Sequence, residues 1–298
     1  MLILYGTIND NIDITDICLS QLMNNNIIII PAIDSNRAKI FSDPLQGTLK
    51  KILILTDNIL TEYEYFYMIK INMNDNTVTT VNTINDTDIN NMISIIHSTL
   101  KINHGSFNEE LPEQKMVVRY LTGNEKVLEI GGNIGRNSLI IAKLLGNNNN
   151  FVSLECDLDI SKQLEENRDL NNFKFHIEPS ALSKRRLMQK GWDTVMSDTL
   201  EEGYKWVNTI TLDELNLKYG IEFDTLVLDC EGSFYYILLD MPEILDNINL
   251  IIMENDYYDI SKKEYVDEVL KKNNFYRDYV EVGGWGCCYT NFYEVWKK

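Results

Sequence analysis

The chain of 298 residues carries 45 acidic against 27 basic side chains, a net charge of −18, with 44% hydrophobic and 24% charged residues. That length and balance describe a globular protein of two domains, or of one domain with a sizeable appendage. So acidic a chain argues against a nucleic-acid partner, whose phosphates call for basic side chains, and favours neutral or cationic small acceptors.

No apolar segment is long enough to span a bilayer, and the opening Met1-Leu2-Ile3-Leu4-Tyr5-Gly6 lacks the basic stretch of a signal peptide. Five cysteines without a C-x-x-C pair fit a reduced, cytoplasmic chain. His97, His104 and His176 are scattered without ligand spacing and no EF-hand pattern occurs, so no metal site is expected.

In chain order, residues 1–82 read as β. The apolar run Ile27–Ile30 is closed by Pro31, residues 51–55 form a second run, 63–71 alternate with aromatic residues, and 77–81 are β-branched. Turns such as Ser42-Asp43-Pro44 and Gln46-Gly47 separate them. The expectation is a small β-sandwich-like domain for forming a homodimer or holding a partner. Arg37, Lys39 and Lys50 read as solvated turn residues rather than an anion-binding patch. Ile89, Met92, Ile93, Ile96 and Leu100 recur at helical spacing and predict a connecting helix over 88–100, followed by a polar boundary at 101–112. The expected division is therefore 1–82, 83–112 and 113–298.

From residue 113 a helix is followed by strands expected at 126–130, 151–155, 174–177, 225–229, 250–254, 276–282 and 291–296. This alternation predicts an α/β domain with a mainly parallel seven-stranded sheet, helices on both faces and a terminal antiparallel hairpin.

The run Val127-Leu128-Glu129-Ile130-Gly131-Gly132-Asn133-Ile134-Gly135 carries the most information. A strand ends in an acid, turns on glycines and enters a helix, the usual cradle for a nucleotide-like cofactor. A dinucleotide fold carries G-x-G-x-x-G, whereas here a carboxylate precedes the first glycine. It would repel a pyrophosphate and attract the ammonium of an amino acid. A cofactor that is half nucleoside and half amino acid is S-adenosylmethionine. Glu129, Gly131, Asn133 and Gly135 are the expected cofactor-binding residues. Glu155 lies about twenty residues beyond Gly135, where such folds place the acid that grips a ribose. Ser180 and Ala181, after the third strand, are placed to meet the adenine.

A second run, Thr225-Leu226-Val227-Leu228-Asp229-Cys230-Glu231-Gly232-Ser233, breaks from a buried strand into acids, and Leu250–Glu254 ends in another. In an open parallel sheet these strand ends share the ligand-binding edge. Together the runs resemble the FkbM-type S-adenosylmethionine-dependent methyltransferase family. Glu129-x-Gly131-x-Asn133-x-Gly135 is similar to its first motif, Thr211-Leu212-Asp213-Glu214-Leu215 to its T-L-D-x-L segment, and Asp229-x-Glu231-Gly232 to its D-x-E-G signature. Glu254 matches the acid ending its next strand. The resemblance spans residues 113–298. Gly132 departs from the family's common Ala, and Ser233-Phe234 from its Ala and acid.

The resemblance implies a Rossmann-like class I methyltransferase domain and methyl transfer to a hydroxyl, often of a sugar, glycan or other small molecule. Glu231 is the expected base, with Asp229 beside it, and Trp285, Glu254 and Trp192 are expected to meet the acceptor. The rival readings are a methyltransferase-like binding or assembly protein without activity, and transfer to a protein, nucleic-acid or different small-molecule acceptor.

Overall fold

The structure is a computed structural model and describes residues 1–65, 67–82 and 86–298. The chain forms two compact units, Met1–Ile95 and Ile96–Lys298. The boundary expected at 82/83 adjoins residues 83–85, which lie outside the described residues. The division falls instead within a helix, Asp86–Thr99, over most of the span where a connecting helix is expected.

In the first unit, Asn11–Asp13, Leu2–Gly6, Lys51–Thr56 and Ile59–Tyr63 form one antiparallel sheet in that order. A second contains Met23–Asn24, Ile27–Ile30, Tyr67–Asn72 and Thr77–Asn82. Alternate residues point inward from each. Ile3, Tyr5, Ile52 and Ile54 of one sheet and Ile28, Ile30, Ile69 and Ile71 of the other belong to one buried cluster, the packing of a β-sandwich.

Arg37 and Lys50 are not solvated. Arg37, on the unexpected helix Asp34–Phe41, is fully buried and donates to the carbonyls of Pro31 (2.9 Å) and Tyr67 (2.8 Å). Lys50 is 1% exposed and lies between Asp34 (3.0 Å) and Asp43 (2.8 Å). Lys39 alone is exposed. The turn composition that suggested solvation hid the partners that bury both side chains. Removing one partner from a buried ion pair leaves the other charge uncompensated. Lys50→Ala is therefore expected to lower the stability of the first unit by about 3 kcal/mol, measured by hydrogen exchange of its strand amides. A loss below about 1 kcal/mol, the ordinary range of an exposed pair, would contradict this role.

The second unit holds the seven-stranded sheet. Its strands are β1 (Val127–Ile130), β2 (Phe151–Leu154), β3 (His176–Glu178), β4 (Thr225–Leu228), β5 (Leu250–Glu254), β6 (Tyr276–Glu281) and β7 (Tyr293–Lys297). Their spatial order is β3-β2-β1-β4-β5-β7-β6, and β7 alone runs against its neighbours. This is the mainly parallel sheet with terminal antiparallel hairpin that the alternation predicts.

The helices are α1 (Leu111–Tyr120), α2 (Arg136–Leu144), α3 (Leu158–Leu170), α4 (Leu212–Tyr219), α5 (Phe234–Asp240) and α6 (Ile260–Lys272). Leu128, Ile130, Leu226, Leu228, Ile251 and Met253 share a core with Ile237, Leu238, Val266 and Leu270. Between β3 and α4 the chain inserts a small sheet of Leu187–Lys190, Asp193–Met196 and Lys205–Trp206. The T-L-D-x-L segment has a plain structural cause: Thr211 and Glu214 form a capping box at the start of α4.

Candidate functional site

Register places the site. Ile130 pairs with Leu154 on one side and Leu228 on the other, and Leu228 pairs with Met253. The next residues, Gly131, Glu155, Asp229 and Glu254, therefore leave the sheet at one level. Strand order reverses between β1 and β4, so the loops beyond them part and form a crevice.

Gly131 has φ +94°, and a Cβ there would stand 1.6 Å from the carbonyl oxygen of Asp229. Only glycine allows the β1 loop to lie against the β4 loop. At Gly132 a Cβ would meet Ser153 Oγ at 2.1 Å, which accounts for the departure from Ala. Gly135, φ +95°, precedes α2 and leaves room for Leu164 at 2.5 Å from its Cβ position. Asn133 adopts φ +47°, and its Oδ1 accepts from the Ile134 N–H at 2.8 Å. No side chain caps the N-terminus of α2, so its first amides remain free for an anionic group.

Glu129, expected to attract a ligand ammonium, is enclosed. It is 2% exposed, on the sheet face covered by α2, and Oε2 accepts from the hydroxyls of Ser138 and Ser153. Only its second oxygen is left for a ligand ammonium. The cause is alternation along β1: Leu128 and Ile130 enter one core, which turns Glu129 to the other face. Glu155 stands at the β2 end, where its Oε2 accepts from the Asn133 N–H at 3.0 Å and its Oε1 from the Asp157 N–H at 2.7 Å. It thus holds the glycine loop and keeps further lone pairs for a hydroxyl. Ser180 donates to Glu178 at 2.8 Å, and Ala181 lies in a short strand paired with Thr209.

Asp229, Glu254 and Asp256 converge, with one carboxylate oxygen from each lying within 4.8 Å of the others. Glu113, 7% exposed on α1, hydrogen-bonds Glu254. Burial raises the Asp229 and Glu254 carboxyls above the usual range, and neighbouring acids raise them further. The spacing of the sequence hides this group, because its members come from β4, β5 and α1. The one signal for Glu113 is that it shares the buried stripe of α1 with Met116 and Val117.

Glu231 is exposed, with φ +51°. Burial of its stem and then the Asp256 charge raise its carboxyl. Trp285 is 39% exposed with its ring 4.4 Å from that of Tyr258. Trp192 is 64% exposed in the turn of the inserted hairpin, on a different sheet from the other site residues.

The second unit therefore has the Rossmann-like methyltransferase fold, with the glycine loop and acids at its strand ends. No protein-family model and no curated protein matches the chain. Among solved structures it is similar to an O-methyltransferase from Bacillus cereus in complex with SAH (15% identity, 73% of this chain and 94% of that one, TM-score 0.41). It is also similar to a tRNA methyltransferase of M. jannaschii (11%, 80% and 59%, 0.40) and an rRNA methylase from Streptococcus thermophilus (11%, 62% and 93%, 0.40). Likeness at this level attaches no activity to the chain.

The partner expectation is corrected on this finding. Proteins titled as acting on tRNA and rRNA stand among the similar structures, so nucleic acid is not excluded as a partner. Net charge is a sum over the whole chain, whereas phosphate contacts are local. The glycan acceptor is dropped with the same correction. Among the described residues, no helix is long and apolar enough to cross a membrane.

Burial raises the Glu129 carboxyl from 4.5 to about 7 against the opposing hydrogen bonds of Ser138 and Ser153. The folded chain then holds this proton to higher pH than the unfolded chain. Its contribution to stability is intact below about 4.5 and is lost as pH rises through about 7. Glu129→Gln is expected to flatten that part of the stability profile, by about 3 kcal/mol across the window. Urea midpoints of both proteins between pH 4.5 and 7.5 check this; parallel profiles would refute it.

Proposed function

We propose that the unit Ile96–Lys298 is an S-adenosylmethionine-dependent O-methyltransferase of the FkbM type. The observation that carries the reading is the level register of β1, β2 and β4. It brings the uncapped start of α2, Glu155 and the strand-end acids to one edge of the sheet, and this supports the reading. The five cysteines, none of them disulfide-bonded, support a cytoplasmic setting.

The residues present fit the cofactor. The first amides of α2 would hold its carboxylate, the free oxygen of Glu129 its ammonium, and Glu155 its ribose hydroxyls. Ser180 and Ala181 would border its adenine. When bound, S-adenosylmethionine supplies an electrophilic methyl group on a sulfonium centre. The chain's own part is positioning, with Glu231 orienting the acceptor hydroxyl and taking its proton. A carboxyl raised by burial and by Asp256 is a better base than an ordinary glutamate. Trp285, in the loop before β7, and Tyr258, in the loop after β5, form an aromatic wall suited to one face of an acceptor.

Calorimetric titration with S-adenosylmethionine and S-adenosylhomocysteine tests the reading. Micromolar binding of both is expected, about −8 kcal/mol, with Glu155→Gln weakening it roughly tenfold or more through a lost charge-assisted hydrogen bond. Glu231→Gln should leave that affinity unchanged and lower S-adenosylhomocysteine release with acceptor by about 10²-fold or more. A folded chain that binds neither molecule would end the proposal.

A further inference from the structure

Two other buried acids of the second unit have basic partners. Glu178 accepts from Lys218 (2.6 Å) and Tyr219 (2.9 Å), and Glu294 from Lys263 (2.9 Å), Arg277 (2.7 Å) and Trp296 (2.9 Å). Among the described residues, the group at the ends of β4 and β5 has no such partners. The charges acting most strongly on Asp229 are those of Glu110, Glu113, Asp256 and Glu231, all acids.

The geometry is that of a shared ligand. Oxygens bound to one ion at about 2.4 Å can stand no more than about 4.8 Å apart. One oxygen from each of Asp229, Glu254 and Asp256 falls within 4.8 Å of the others.

Two buried atoms lack donors at the same place, one of them on a member of the group. Asp256 is 6% exposed and Glu113 is 7% exposed, yet Asp256 Oδ1 and Glu113 Oε2 are buried with no hydrogen-bond partner. Glu113 is aimed into the group, since its carboxyl bonds that of Glu254. A buried oxygen without a donor is costly, and several converging oxygens of this kind suit a cation.

We propose that Asp229, Glu254 and Asp256, with Glu113 beside them, form a binding site for a divalent cation. The all-oxygen donor set selects a hard ion such as Ca²⁺, Mg²⁺ or Mn²⁺ over one that prefers thiolate or imidazole. Three carboxylates leave coordination positions open for water or for an oxygen of a bound molecule. The site does not depend on methyl transfer, because its ligands are arranged by the β4 and β5 ends and by α1 alone.

Calorimetry of the full chain, first stripped with EDTA and then titrated separately with CaCl₂, MgCl₂ and MnCl₂, tests this. Saturable one-site binding of at least one ion is expected, with a matching rise in the thermal unfolding midpoint. Asp256→Asn and Glu254→Gln should each weaken binding by about tenfold or more. Glu268→Gln removes one charge at a side chain 69% exposed and should leave binding unchanged. Should Glu254→Gln fail to fold, Asp229→Asn serves in its place.

No saturable binding up to about 10 mM would overturn the site. So would binding undiminished in Asp256→Asn, which would mean diffuse attraction to the chain's net charge. Titration with S-adenosylmethionine in parallel separates the two proposals. Metal binding without cofactor binding keeps this one and removes the other, and the reverse outcome removes this one alone.

Discussion

The second unit depends on one close approach, that of Gly131 to the carbonyl of Asp229. The loop leaving β1 lies directly against the loop leaving β4. The contact is locked on one side by Gly131 N–H to Leu154 O at 3.0 Å and on the other by Asp229 N–H to Ile130 O at 3.0 Å. A side chain at 131 would separate the loop that begins α2 from the loop that holds the acids. Glycine is required at this position by the protein's own backbone, before any ligand is considered.

That approach gathers carboxylates at one edge, and the chain treats them in two ways. Glu129 is compensated by two hydroxyls and Glu155 by two backbone amides, so both are fixed in orientation. Hydrogen bonds to the charged form offset what burial adds, which allows an acid to act as a positioned acceptor. Asp229, Glu254, Asp256 and Glu113 receive no comparable donors. Since Glu178 and Glu294 show that this fold pairs buried acids with bases, the uncompensated group is a local property of the crevice.

Much of the sheet was legible because its strands are short apolar runs between polar breaks. All seven elements of the sheet fall on expected runs, with ends shifted by a residue or two. Ser180 and Ala181 were placed by topology alone, and the structure gives them partners within the protein rather than an evident role. The inserted hairpins around Trp192 were not legible, because short exposed strands carry no strong alternation. Arg37 and Lys50 were misjudged for the opposite reason. A buried charge looks like a solvated one until its partners, here distant carbonyls and two aspartates, are brought to it by folding. The acidic group was half legible: the strand ends pointed to Asp229 and Glu254, but Glu113 lies more than a hundred residues earlier in the chain.

The D-x-E-G run shows how a short motif distributes roles by backbone conformation. Asp229 continues the β4 direction and stays within the group. Glu231 and Gly232 then take left-handed conformations in succession, φ +51° and +74°, which reverses the chain and turns Glu231 to solvent. Left-handed geometry at a glutamate is strained, and it persists only where surrounding contacts hold it. Those contacts come from Gly232, whose Cβ position lies 2.8 Å from the Asp256 carbonyl, so that the β4 loop packs against the β5 loop. Two acids separated by one residue are thereby divided between an enclosed group and an open surface. One is held among the strand-end acids, and the other faces solvent.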